Sequence, residues 1–351
     1  MEDNTWQTIH LESVYPVAED LILLDPWCDI PAPFVLRDPA RPEAFVVVLF
    51  ERGPETARSI RFLLGPRGLR SWLQEQEAAR ADDPNSAEPF ISQYDGYFME
   101  VGYDTPNLNN FEQRLTRGKK HVITFRRQRP GYTLATMTDK DELDFLRSLL
   151  SALRQLTVHK RLPRAQHGER IHEEYGFSLP CFELGETVTE AAPMVWKRET
   201  LLAAGPLLMD EFSDARVRHL PKSHDALELF FFYLPVRGVV TSMLSMSFFL
   251  VNLDNGLLEW SEMITPKKGW EKEFISRLWE YFHTRGSRPE TVITFQTNLY
   301  CALAADLRRA GITAEHTLHG YAADEILESY LRITRPRVRS LFNDHTPREP
   351  F

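Results

Sequence analysis

Three acids in the C-terminal half have the type and placing that metal-dependent cleavage of a phosphodiester would need. Asp254 ends an apolar run, Glu259 follows just beyond a turn, and Glu325 lies on a late amphipathic stretch. Two-metal hydrolysis requires several carboxylates meeting at one point, because the ions that clamp attacking and leaving oxygens are held by hard anionic ligands. Each acid also has a plainer explanation. Asp254 stands beside Asn255-Gly256, and Asp is favoured in turns because its side chain bonds the nearby backbone. Glu325 and its neighbour Glu328 fit the solvated face of a helix. The later run "VITFQTN" ends on Gln296, Thr297 and Asn298, all neutral and poor ligands for such ions. The expectation is a chain with no resident metal and no cofactor; the three acids are kept as the catalytic alternative.

A second cluster points to binding. "RLTRGKKHVITFRRQR" gathers Arg117, Lys119, Lys120, Arg126, Arg127 and Arg129 around a strand with Phe125 inside it. Clustered positive charge contacts phosphates or an acidic protein patch equally well. The competing account is that these cations balance the acids of the following "TDKDELD". A further basic group, Arg332, Arg335, Arg337 and Arg339, lies in the tail. His159, His167 and His172 alternate with Glu169, Glu173 and Glu174, which are zinc-ligand types at a spacing that matches no ligand motif. Glycine-rich phosphate loops, nucleophile elbows and Cys-His pairings are absent.

Composition narrows the classes. The 351 residues carry 41 Lys and Arg against 50 Asp and Glu, a formal net charge of -9, which opposes broad attraction to nucleic acid or anionic membrane. Cys28, Cys181 and Cys301 are too few and too far apart for a disulfide framework, so a reduced cytoplasmic setting is expected. The opening "MEDNTWQTIHLESV" lacks the basic start and apolar block of a secretory signal. The most apolar region, 227–253, contains Pro235 and Arg237 and falls short of the roughly 20 apolar residues of a membrane helix.

The elements that would position these groups follow from periodicity. Prolines punctuate the approach up to Ala44, and regular structure is expected only after it. "AFVVVLFE" and "RSIRFLLG" read as a hairpin, "PRGLRSWLQEQEAARA" as a helix, and "GYFMEVGY" and "HVITFRRQ" as strands flanking a helix that closes on Gly118. "TDKDELDFLRSLLSALRQL" is a helix capped by Thr138. The charged stretch 157–192 reads as a connector. Beyond it come two apolar strands, a two-residue hairpin turn at Asn255-Gly256, a strand, an amphipathic helix stopping at Gly286, and then strand, helix, short strand and last helix. This places an α+β sandwich at 1–156, the connector at 157–192, a second domain at 193–335 and a tail at 336–351.

The order strand, strand, hairpin strand, helix, strand, helix, strand, helix over 227–333 resembles the ribonuclease-H-like fold shared by nucleases and by transposase and integrase cores. That resemblance implies a mixed sheet with helices, and it implies acids at the end of the later strand, where this chain has Gln296, Thr297 and Asn298. The whole chain also resembles a group of bacterial proteins pairing two domains of unknown function. The carrying residues are "FRRQRPGYTLATMTDKDELDFL" at 125–146, "FFLVNLDNGLL" and "RPETVITFQTNLYCALAADLRRAGI". The expected role is non-catalytic recognition or assembly with a protein or nucleic-acid partner and no membrane. The alternative is a divergent metal-dependent nuclease or another nucleic-acid-processing enzyme on the same fold.

Overall fold

Runs rich in Val, Ile and Phe build two separate sheets, and helices with apolar stripes cover them, so the chain belongs to the α+β class. The structure, a computed structural model, describes residues 5–52, 58–80, 94–102, 122–132, 134–137, 139–164, 177–234 and 244–329. The chain divides into two units. One comprises Met1–Leu69, Tyr94–Arg129 and Leu134–Thr200; the other comprises Arg70–Gln93, Pro130–Thr133 and Leu201–Phe351.

The first unit is organised by eight strands: β1 (Phe34–Asp38), β2 (Arg41–Arg52), β3 (Arg58–Leu64), β4 (Gly96–Gly102), β5 (Val122–Gln128), β6 (Ala135–Thr136), β7 (Phe177–Glu183) and β8 (Thr189–Trp196). Their order in the sheet is β6-β5-β4-β3-β2-β1-β7-β8, antiparallel throughout except where β1 meets β7 in parallel. Phe34, Leu36, Val46, Val48, Ile60, Phe62, Met99 and Phe125 share one buried core with residues of two helices, α1 (Thr5–Leu24) and, after α2 (Gly65–Arg80), α3 (Lys140–Val158). Tyr15 of α1 donates its hydroxyl to the Ile123 carbonyl at 2.6 Å and meets Phe125 edge-on. The α3 cap is Asp139, whose carboxylate accepts from the Glu142 amide at 3.0 Å; Thr138, the expected cap, and the expected helix ending at Gly118 lie outside the described residues.

Three parts of this unit differ from expectation. Strand β1 lies in the proline-punctuated stretch 25–44, and helix α1 precedes it, where no regular structure is expected; Pro16 inside α1 breaks the local signal, and packing against the sheet and α3 supplies what propensity does not. Within the stretch read as connector, 177–183 and 189–196 are strands of the first sheet, while 165–176 lie outside the described residues. Pro180 and Pro193 conceal them. A proline cannot donate to a ladder, so it is confined to bulges and edges. Pro180 falls at the register shift between Leu179 and Cys181, and Pro193 lies on the edge strand β8.

The second unit carries β9 (Ala226–Leu234), β10 (Ser245–Asn252), β11 (Leu258–Ile264), β12 (Thr291–Thr294) and β13 (Thr313–His316) in the order β11-β10-β9-β12-β13. The first three are antiparallel, and β12 and β13 continue the sheet in parallel from β9. Helices α4 (Glu211–Arg218), α5 (Trp270–Arg285) and α6 (Thr297–Arg309) pack with Leu227, Leu229, Phe231, Phe248 and Leu250 in one core. A helical stretch over 323–329 joins Phe230, Phe232, Leu234, Val251 and Phe295 in another. Strand β9 therefore alternates its side chains between two covered faces.

The β10–β11 hairpin is present, but its turn is longer than two residues. The Asn252 amide donates to the Leu257 carbonyl at 2.9 Å, so this pair closes a four-residue loop over 253–256. Gly256 alone in it has positive φ, +69°, whereas the two-residue turn suited to Asn-Gly needs positive φ at both positions. Among the described residues, no helix is long and apolar enough to cross a membrane.

Candidate functional site

The acids expected to form a catalytic alternative occupy different settings. Asp254 is an exposed turn residue whose backbone amide donates to the Asn252 side chain at 2.9 Å. Glu325 is exposed on the helical stretch 323–329. Glu259 is partly buried, and its carboxylate is held by protein donors: Asn252 Nδ2 at 2.8 Å, the Tyr281 hydroxyl at 2.7 Å and an Arg285 guanidinium nitrogen at 3.5 Å. Arg285 also pairs with Asp225. Burial, and then the bond to Glu259, push the Tyr281 phenol well above its ordinary range, which keeps it a proton donor. Asn252 and Glu259 come together at the end of β10 and the start of β11, with α5 supplying the rest of the network. Among the described residues, no group of three or more His, Cys, Asp or Glu side chains is placed to hold a metal ion.

At the end of β12, where the resemblance implies an acid, Gln296 has a definite structural job. Its Oε1 accepts from the Phe231 amide at 2.9 Å, and its Nε2 donates to the Phe231 carbonyl at 2.8 Å. The β12–β9 register pairs Thr291 with Ala226 and Ile293 with Glu228, the same offset of 65 residues that separates Gln296 from Phe231. The side-chain amide thus imitates one more peptide unit and extends the ladder after the backbone has turned into α6. A side-chain amide offers a donor and an acceptor side by side, which an ionised carboxylate does not. Thr297 lies 3.1 Å from His316 Nε2, and Asn298 Nδ2 donates to Ser71 at 3.3 Å.

The basic strand β5 is laced to its neighbours. Arg127 is buried; it pairs with Asp95 at 2.6 Å and Glu142 at 2.9 Å, donates to the Gly96 carbonyl at 3.0 Å, and lies over the Tyr97 ring at 5.1 Å. Burial lowers its pKa, but the charges of Asp95 and Glu142 more than offset that and hold it above the usual range. Arg126 donates to Thr136. Arg129 shares Glu142 at 2.9 Å with half its side chain exposed. Arg117, Lys119 and Lys120 lie outside the described residues, as do His167, His172 and the tail arginines.

Three fully buried acids were not singled out by sequence reasoning. Asp214 of α4 accepts from Trp279 Nε1 at 2.9 Å and pairs with Arg309. Asp306 of α6 accepts from the amides of Leu208 at 2.9 Å and Met209 at 2.8 Å, which fixes the segment before α4. Glu228 of β9 accepts from the amides of Tyr321 at 2.7 Å and Ala322 at 2.6 Å. The one sequence signal for Glu228 is a lone charge inside "ALELFFFYL", where a buried acid demands partners.

Comparison with known proteins bears on this second unit. Residues 215–331 match the model of a family described as a domain of unknown function, DUF6930. The chain matches no curated protein and no solved structure.

Proposed function

We propose that the chain is a non-catalytic recognition or assembly module whose second unit is a ribonuclease-H-like sheet put to binding use. Three antiparallel strands continued by two parallel ones support the fold part of this reading. The observation that carries the functional part is Gln296: the position that would bear a metal-holding acid instead closes the β12–β9 ladder with both of its amide atoms. Glu259, the most sheltered of the three candidate acids, is likewise taken up by Asn252, Tyr281 and Arg285. In this reading Arg126 and Arg127 hold β5 in its sheet, and Arg129 with Arg117, Lys119 and Lys120 supplies charge toward an acidic protein or nucleic-acid partner.

The test has two arms. Fluorescence polarisation with generic DNA and RNA at low and physiological salt reports whether that charge meets phosphate; salt-sensitive binding that weakens in the K119E/K120E variant assigns a nucleic-acid partner. Flat titrations leave recognition to proteins. In the second arm, magnesium or manganese is added with the same oligonucleotides. The recognition reading expects no cleavage. Metal-dependent cleavage that disappears in Asp254→Ala would overturn it in favour of the divergent nuclease, which the strand order favours.

A further inference from the structure

Among the described residues, one stretch near the end of the second unit closes the second face of the five-stranded sheet. Residues 321–329 bring Ala322, Ala323, Ile326 and Leu327 onto Phe230, Phe232, Phe249 and Phe295. Two of those four contacts are alanine, so the apolar area they remove from water is small.

The anchor is an acid from the middle of the sheet. Glu228 points to the same face as Phe230 and Phe232, and its two oxygens accept the amides of Tyr321 and Ala322 from 93 and 94 positions away. These two amides lie just before the helix begins at 323, so Glu228 ties down the chain that leads into it. A second feature lets the chain come down onto the face. A Cβ on Gly320 would lie 2.8 Å from the Phe295 ring and 3.0 Å from Ala323 Cβ, so the approach tolerates no side chain there.

An acid makes a catch of a particular kind. A buried apolar contact loses solvation energy whenever it opens, but a buried carboxylate regains its hydration in water. Opening is therefore less penalised at Glu228 than its two hydrogen bonds alone would suggest. We propose that residues 321–329 form a releasable strap over the Phe230, Phe232, Phe249 and Phe295 face, with Glu228 as its catch and Gly320 as the point of close approach. Release uncovers an aromatic sheet face while the opposite core, under α4, α5 and α6, stays intact.

Hydrogen exchange read by mass spectrometry on the full chain tests this. In Glu228→Gln, whose amide group turns a donor toward two donors, exchange in peptides covering 321–329 should rise about tenfold or more, the scale of losing charge-assisted hydrogen bonds. Peptides from β9, β10 and α5 should keep wild-type protection. Glu290→Gln, at a partly buried acid of the same unit that pairs with Lys222 and His224, is the control. Unchanged exchange over 321–329, or a rise shared equally by β9 and α5, overturns the proposal. Gly320→Ala decides the matter should Glu228→Gln fail to fold: a rise confined to 321–329 supports the strap, and wild-type exchange there removes it.

Discussion

The two faces of the five-stranded sheet are held by different physics. One is sealed by three helices over an apolar interior, in which Phe248 stacks on Phe274 at 3.9 Å and Phe231, Trp270 and Leu250 fill the remaining space, while its buried acids Asp214 and Asp306 sit on helices α4 and α6 and not on the sheet. The other is covered by residues 321–329, whose first two amides are tied to the carboxylate of Glu228. Strand β9 feeds both faces from alternate residues, so a single strand presents an interior held by area and another held by a charge. The first kind of closure is cooperative and resists local opening, while the second can open without the rest.

Substitutions can break that contrast. The largest effect is expected from Phe248→Ala, which leaves a cavity under α5 and should cost about 3 to 5 kcal/mol, lowering the denaturant midpoint of the second unit as a whole. Gln296→Ala comes next: it strands the Phe231 amide and carbonyl in the interior at about 1 to 3 kcal/mol, again seen in global unfolding because the β12–β9 join lies between both faces. Leu327→Ala should behave differently. Its effect should appear as faster exchange over 321–329 with little change in the global midpoint. Equal loss of protection in α5 would show that the two faces are one cooperative unit.

The smallest expected effect is a pH dependence. Burial raises the Glu228 pKa above the ordinary 4.5, the amides of Tyr321 and Ala322 oppose the shift, and Asp324 adds to it. An acid whose pKa is higher in the closed state binds its proton more tightly there. Protonation of Glu228 therefore adds an increment to closure that is full below the ordinary value and is lost as pH rises through the raised one, above which the two amide hydrogen bonds to the ionised carboxylate remain. Strap exchange, corrected for intrinsic rates, should accelerate across that rise in the wild type and stay level in Glu228→Gln. A wild-type profile as flat as the variant's would remove the charge from the account.

Much of the second unit could be read from its residues, because its strands are continuous apolar runs and its helices stop at glycines such as Gly286, with φ of +74°. The first unit was harder. Strands β7 and β8 carry prolines, and α1 carries another, so local signals argue against elements that only tertiary pairing stabilises. The site was less legible still. Glu259 and the neutral identity of Gln296 were noticed, yet nothing local announces that an amide would copy a peptide unit 65 positions away, or that Glu228 would reach Tyr321. Those partnerships exist only after strands and helices have been brought together.

The peptide-like role of Gln296 also limits what mutation can restore. Gln296→Glu would place an acid at the end of β12 but put carboxylate oxygens toward the Phe231 carbonyl, removing a donor and adding repulsion where the ladder closes. A lineage bearing this glutamine is therefore not one codon change from a metal-holding strand end; it would first have to find another way to tie β12 to β9.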